Sequence, residues 1–175
     1  MKIFGITGYS GAGKTTLVER MLPQMIGRGL RTSVLKHAHH DFDIDRPGKD
    51  SFRHRQAGAG EVLLANASRW VLMHELRGAP EPTLAEYAAR FSPCDLLLVE
   101  GFKHEAIPRL EVHRPATGRP ALWPQQPQIV AVASDQAAPA ELPAGLFWLD
   151  LNDVPTIVTF ILDHLQLTGE ADAVL

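Results

Sequence analysis

The sequence predicts an α/β domain, doubly wound around a mostly parallel sheet with antiparallel additions, and three observations carry that expectation. Short apolar runs within Lys2 to Thr7, Arg31 to Lys36, Cys94 to Val99 and Ile129 to Ala133 have strand length, not helix length. Segments of helical periodicity lie between strands, the arrangement that lets strands run parallel. Polar residues gather directly after the runs, where open α/β sheets place their ligands.

The first strand, Lys2 to Thr7, feeds Gly8-Tyr9-Ser10-Gly11-Ala12-Gly13-Lys14-Thr15-Thr16, with a helical pattern directly behind it. Every fixed position of G-x-x-x-x-G-K-[ST] is present in the required strand, loop and helix order, which narrows the class to a P-loop NTPase. Polyphosphate must be approached by several backbone N–H groups together, so the loop needs residues without a Cβ, and Gly8, Gly11 and Gly13 supply them. The helix behind directs its unpaired N–H groups and dipole at the same anion. Lys14 sets a compact ammonium against the β and γ oxygens, and the Thr15 hydroxyl is a ligand for Mg²⁺ bridging those phosphates. The nucleotide-binding set expected here is Gly8, Ser10, Gly11, Ala12, Gly13, Lys14, Thr15 and Thr16.

Leu17, Met21, Leu22, Met25 and Ile26 recur at helical spacing up to Gly27 and Gly29, with Pro23 as a point of kinking. The strand Arg31 to Lys36 then closes a right-handed parallel βαβ unit. From His37 to Gly60 the chain is polar and irregular, the mark of a functional or mobile loop. Within it, Asp50 or Ser51 is expected to cap a short helix through Ala57, ended by Gly58. Glu61 to Ala65 and Arg69 to His74 read as short strands joined by Asn66-Ala67-Ser68. Thr83 caps a helix whose buried stripe is Leu84, Tyr87, Ala88 and Phe91. Cys94 to Val99 is apolar after its second residue, as a strand covered on both faces should be. Arg109 to His113 is a further strand, Pro115 to Pro127 is proline-rich, and Phe147 to Leu151 is the last strand. Asp153 with Pro155 opens a final helix through Leu165.

A chain of 175 residues is the size of one domain, here 1–175, with enough length to bury a core without disulfides or a structural metal. Cys94 is the only cysteine, so no internal disulfide forms and a reducing, cytoplasmic compartment is expected. Met1 runs directly into the first strand and no apolar run reaches membrane-spanning length, which argues for neither leader nor membrane. A net charge of -3 with mixed signs provides no basic field for nucleic acid.

Carboxylates at strand ends complete the chemical reading. Glu100, after the Leu96 to Val99 run, is placed to meet the Mg²⁺ of the P-loop, so Thr15 and Glu100 are the expected metal residues. Asp41, Asp43 and Asp45 are candidates for a second Mg²⁺ ligand or for orienting water, and Lys14, Asp41, Asp45 and Glu100 form the expected catalytic set. His37, His39, His40 and His54 lack H-E-x-x-H spacing; with Lys49, Arg53 and Arg55 they suit phosphate or substrate contact, or a structural role. Ser134-Asp135 ends a late strand, where a carboxylate accepts from guanine N1–H and N2–H₂ but finds no such donors on adenine. A turn or cap is the alternative use of the same pair.

With these segments laid out, the chain resembles the molybdopterin-guanine dinucleotide biosynthesis adaptor protein B (MobB) family. The resemblance rests on Gly8 to Thr15, on Lys36-His37 with His39-His40-Asp41-Phe42-Asp43-Ile44-Asp45 and Pro47-Gly48-Lys49-Asp50-Ser51, on Arg53-His54 with Ala57-Gly58-Ala59, on Val99-Glu100-Gly101-Phe102-Lys103 and on Ile107-Pro108 to Arg114. It implies a homodimeric P-loop protein that binds GTP and Mg²⁺, hydrolyses GTP weakly, and assists attachment of GMP to molybdopterin or molybdenum cofactor beside a separate guanylyltransferase. By the same resemblance Gly11, Gly13, Lys14, Thr15 and Thr16 hold phosphates and Mg²⁺, with Glu100 in that site. The N-K-x-D guanine signature of other GTPases is missing, so Ser134-Asp135 stands in for it and guanine preference comes from the family. Two other readings stay open on the residues: an ATP-dependent small-molecule kinase or ligase, and a nickel or zinc delivery GTPase.

Overall fold

Strand β1 (Lys2–Thr7) sets the plan of the larger sheet, because Phe4 and Ile6 point to one face and are fully buried there. The structure is a computed structural model that describes residues 1–38 and 42–167. The other strands of this sheet are β2 (Thr32–Lys36), β5 (Leu96–Glu100), β6 (Arg109–His113), β7 (Ile129–Ser134) and β8 (Phe147–Asp150), between which the chain also forms β3 (Glu61–Ala65) and β4 (Trp70–His74). The sheet order is β2-β5-β1-β6-β7-β8, and every neighbouring pair is parallel. All the strands therefore end at one edge, where the P-loop leaves β1.

Two long helices cover one face. Leu17, Val18, Met21 and Met25 of α1 (Lys14–Gly27) and Val154, Ile157, Val158, Ile161 and Leu162 of the C-terminal helix over Val154–His164 pack on Phe4, Ile6, Leu96, Leu98, Leu110, Val112, Ala131 and Ala133. Each large aliphatic side chain buried this way stabilises by roughly 1.5–3 kcal/mol. Pro23 lies inside α1, which continues to Gly27. Asp153 caps the last helix as its sequence predicts, accepting from the Thr156 amide at 3.2 Å and the Thr156 hydroxyl at 2.7 Å.

The opposite face of β6 carries two buried ionisable side chains, Arg109 and Glu111. Glu111 accepts from the backbone of Leu122 at 2.8 Å and Trp123 at 3.0 Å, so the proline-rich stretch is held by a carboxylate and contains short 3-10 turns at Pro115–Thr117 and Trp123–Gln125. Burial pushes the Glu111 carboxyl above the ordinary range, against those two amides and His113.

The chain divides into two compact units, Met1–His37 with Ala88–Leu175, and Ala38–Tyr87. In the second unit β3 and β4 form the antiparallel addition, with Leu63 opposite Leu72 and Ala65 opposite Trp70. The Asn66 side chain organises the turn between them, accepting from the amides of Ser68 and Arg69 at 2.9 Å each. Helix α2 (Asp50–Gln56) precedes this hairpin. Its N-cap is Lys49, not Asp50 or Ser51, and it has no side-chain cap. Ser51 instead donates its hydroxyl to Asp45 at 2.7 Å. Thr83 and Glu86 form a reciprocal capping box at the start of α3 (Leu84–Ala88). That helix stops at Ala88, so Phe91, expected on its buried stripe, lies beyond it in a turn. The C-terminal helix is α4. No helix among the described residues is long and apolar enough to cross a membrane.

Candidate functional site: the strand edge around the P-loop

The loop after β1 has the backbone that the glycine spacing requires. Gly8, Gly11 and Gly13 have φ of 138°, 81° and 101°, all in the region L side chains avoid. At Gly8 the constraint is double, because a Cβ there would meet the Val112 carbonyl oxygen of β6 far inside contact distance. Gly13 is the N-cap of α1 and has no side-chain oxygen to offer, so the helix's first N–H groups remain available to an anion. Ser10, Gly11, Thr15 and Thr16 are exposed along this loop, whereas Ala12 is buried beneath it.

Two cations shape the loop from within the protein. Lys14 Nζ donates to the Tyr9 carbonyl at 3.0 Å. Burial lowers its pKa from the ordinary lysine value, while Glu100 pulls the other way and Lys36 and Lys103 add to the lowering. Arg114, just past β6, donates from Nε to the Ala12 carbonyl at 3.1 Å. A third cation, Arg119, sits over the Tyr9 ring at 5.7 Å from its centroid. Bonding of Tyr9 and Ala12 carbonyls to these side chains turns acceptor oxygens away from an anion that the loop's N–H groups would meet.

Glu100 closes the neighbouring strand. It pairs in register with Ile6 of β1 and Lys36 of β2, which puts it one residue short of the loop along the sheet. It shares a face with Leu96 and Leu98, hence with α1, and its carboxylate lies 3.6 Å from Lys36 Nζ. Its side chain is 12% exposed, enough to reach a water or an ion at the edge. Thr15 and Glu100 are hard oxygen donors of the kind Mg²⁺ takes when phosphates and water supply its other ligands. Among the described residues, no group of three or more His, Cys, Asp or Glu stands together as metal ligands.

The loop after β5 is gripped from the buried face. Arg109 donates to the carbonyls of Gly101 at 3.0 Å, Glu105 at 2.8 Å and Phe102. Its stem lies over Gly5, where a Cβ would come within 2.8 Å of Arg109 Cγ. Gly101 in turn has φ 110°, and a Cβ there would come within 2.6 Å of His37 Cβ. His37 donates its amide to the Glu100 carbonyl at 2.8 Å and its ring meets that of Phe102 at 4.8 Å. His37 thus helps to fix the strand end that carries Glu100.

Ser134 and Asp135 lie on the same edge, two strands from the P-loop. They line an open pocket of about 340 Å³ with Gln136, Ala137, Trp148, Asp150 and Asn152, at the ends of β7 and β8. Strand spacing of about 4.8 Å places β7 and β8 roughly 10 and 14 Å from β1 across the sheet, the side on which an extended nucleotide would lay its base. Ser134 is buried and its hydroxyl accepts from the Gln136 amide at 3.3 Å, a turn-forming use. Asp135 Oδ2 pairs with Arg114 Nη1 at 2.6 Å. Trp148 is fixed at the pocket wall by its indole N–H, which donates to the Gln136 carbonyl at 2.9 Å.

The acidic stretch of the second unit is organised differently. Arg55 bonds Asp43 at 2.9 Å, Asp45 at 3.2 Å and Glu75 at 2.8 Å. Asp45 spends one oxygen on Ser51 and the Arg46 amide and the other on Arg55, and its side chain is 5% exposed. Burial pushes its carboxyl up, but Ser51, Arg46 and Arg55 outweigh burial and hold it below the ordinary value. Asp43 is held low by the Asp45 amide first and then by Arg55. Asp41, His39 and His40 lie outside the described residues.

Sequence reasoning missed Arg109, Arg114, Arg119 and Trp148. Their signal was position alone, because each matters through a strand neighbour that no local pattern reveals.

A family model described as molybdopterin guanine dinucleotide synthesis protein B matches residues 3–135. A molybdopterin-guanine dinucleotide biosynthesis adapter protein of Haemophilus influenzae is 44% identical over 167 residues, covering 94% of this chain and 89% of the relative. The Escherichia coli protein of the same description is 41% identical, covering 94% and 93%. A crystal structure of molybdopterin-guanine biosynthesis protein B aligns with TM-score 0.71 at 29% identity, covering 93% of this chain and 99% of that one.

Proposed function

The chain belongs to the molybdopterin guanine dinucleotide synthesis protein B family, and on that premise we propose that it is a GTP-binding adaptor in the guanylylation of molybdenum cofactor. It works beside a separate guanylyltransferase in the cytoplasm, and its own turnover of GTP is slow. The observation that carries the nucleotide part is the alignment, along one sheet edge, of a positive-φ glycine loop, Lys14, Glu100 and the Asp135 pocket.

In this reading the N–H groups of residues 10–16 and the Lys14 ammonium hold the triphosphate, and Thr15 and Glu100 hold Mg²⁺ directly or through water. Bound Mg²⁺ would neutralise charge on the β and γ phosphates. Lys14 and Glu100 are the residues to which we assign hydrolysis. To Asp45 we assign the upkeep of the Arg55 network in place of the catalytic role its sequence position raised. Asp135 would accept from guanine N1–H and N2–H₂, with Trp148 as the apolar wall beside it.

Slow turnover fits a protein whose product is an assembly. The hairpin face carrying Leu63, Trp70 and Leu72, at 59%, 65% and 41% exposure, supports a homodimer through apolar burial; light scattering showing a monomer at micromolar concentration would refute that. The nucleotide assignment is tested by equilibrium binding of GTP and ATP with and without Mg²⁺. GTP is expected to bind tighter and to need Mg²⁺, and an ATP preference above about tenfold, ~1.4 kcal/mol, overturns it.

A further inference from the structure

Arg114 touches both halves of the nucleotide edge. Nε donates to the Ala12 carbonyl of the phosphate loop at 3.1 Å, and Nη1 of the same guanidinium pairs with Asp135 Oδ2 at 2.6 Å. We propose that Arg114 is a positioning residue that ties the Asp135 carboxylate to the phosphate loop and thereby sets the preference for a purine carrying N–H donors at positions 1 and 2. This rests on the reading of Asp135 as the base acceptor.

The argument is geometric. A guanidinium is planar and rigid, so its Nε and Nη1 directions are fixed relative to each other. With Nε committed to Ala12, Nη1 is committed to one direction, and Asp135 follows it. One lone pair of Oδ2 is then taken, which leaves Oδ1 and the second lone pair of Oδ2 to accept from a ligand. An aspartate on a turn without this tie would sample several rotamers and lose part of its affinity in being ordered when the base arrives. A carboxylate only accepts, which is what opposes adenine, whose positions 1 and 2 carry no N–H donor. Asp150 lines the same pocket as Asp135, and among the described residues it is Arg114 that bonds the Asp135 carboxylate. β6, which presents Arg114, pairs in parallel with β1, which leads into the loop, through Gly5 with Arg109, Ile6 with Leu110 and Thr7 with Glu111.

The test uses the full chain and four proteins: wild type, Arg114→Gln, Asp135→Asn and the double variant, each titrated with GTP, with ITP, which lacks the 2-amino group, and with ATP. Glutamine keeps an N–H donor for the Ala12 carbonyl but gives up the ion pair. The expected result is a GTP-to-ITP preference that falls about tenfold in each single variant and no further in the double, with ITP, which keeps the N1–H donor, weakened less than GTP, and ATP, which has neither donor, changed by less than about threefold. Equal losses for GTP and ITP in Arg114→Gln overturn the proposal in favour of simple loop support. A gain in GTP affinity overturns it too, since Arg114 would then compete with the base for Asp135. If Asp135→Asn leaves the GTP-to-ITP ratio unchanged, the base pocket itself is misassigned and the inference falls with it; if that ratio moves while Arg114→Gln leaves it alone, only the coupling is wrong. Arg114→Lys, which keeps the charge without the fork, replaces the glutamine variant if that one fails to fold, and its expected preference lies between wild type and Asp135→Asn.

Discussion

The P-loop edge and the Arg55 network both concentrate charge, and they use it in opposite ways. Around Arg55, three carboxylates meet one guanidinium and the bonds close on themselves. Along the P-loop edge, Lys14 bonds to the Tyr9 carbonyl and Arg109 to those of Gly101, Phe102 and Glu105, and Arg114 divides its guanidinium between the Ala12 carbonyl and the Asp135 carboxylate. A cation held by neutral oxygens keeps its charge available to an incoming anion, whereas one surrounded by carboxylates does not. Acidic residues close together in sequence are thus the weaker sign of a site here, and glycines at a strand end the stronger.

Three experiments bear on that contrast. The largest effect is expected from Lys14→Ala, which should weaken GTP binding by about a hundredfold or more, ~3 kcal/mol, because a charge-assisted contact to phosphate is lost. Far-UV circular dichroism should be unchanged, and retained affinity in calorimetry would break the contrast at once. Next is Arg55→Gln, which strips Asp43, Asp45 and Glu75 of their shared cation. Hydrogen exchange should accelerate across α2, β3 and β4, with GTP affinity kept within about twofold. Loss of nucleotide binding to the same degree as loss of protection would show that the acidic stretch belongs to the site after all.

The smallest effect is read from acid titration. Asp43 and Asp45 have folded pKa values below their unfolded 3.8, so what they contribute is present above pH 3.8 and lost as pH falls through the depressed values. Glu111 has the opposite sign: its folded pKa is raised above 4.5, so its contribution is full below pH 4.5 and lost as pH rises through the folded value. Asp95, held down to about 2 chiefly by its hydrogen bond from Arg31, has the same sign as Asp43 and Asp45, so acidification below about pH 4 should loosen residues 42–87 and the Arg31–Asp95 tie ahead of β1 and β6. Amide NMR signals of β3 and β4 broadening ahead of those of β1 and β6 would bear this out; simultaneous loss would not.

Much of this architecture was legible because its determinants are local. The strand, loop and helix from Lys2 to Gly27 are contiguous, and the hairpin was announced by Asn66 between two apolar runs. What escaped depends on strand order. Only with β6 beside β1 does Arg114 reach Ala12, and only with β7 beside β6 does it reach Asp135. Ser51 read as a helix cap because Asp45, its actual partner, is an equally local but competing acceptor. Trp148 offered no signal, since an aromatic residue in a short apolar strand reads as core until the pocket beside it is seen.

Arg109 carries one more consequence. It grips the main chain of Gly101, Phe102 and Glu105, while Gly5 beneath it and Gly101 beside His37 are small because larger residues would collide. Physically these positions are one unit, written at Gly5, His37, Gly101 to Glu105 and Arg109. The Glu-Gly-Phe-Lys signature is then dictated in part by an arginine that stands outside it; without that arginine the physical reason for Gly5 would go, while His37 and a φ of 110° would still hold position 101 to glycine.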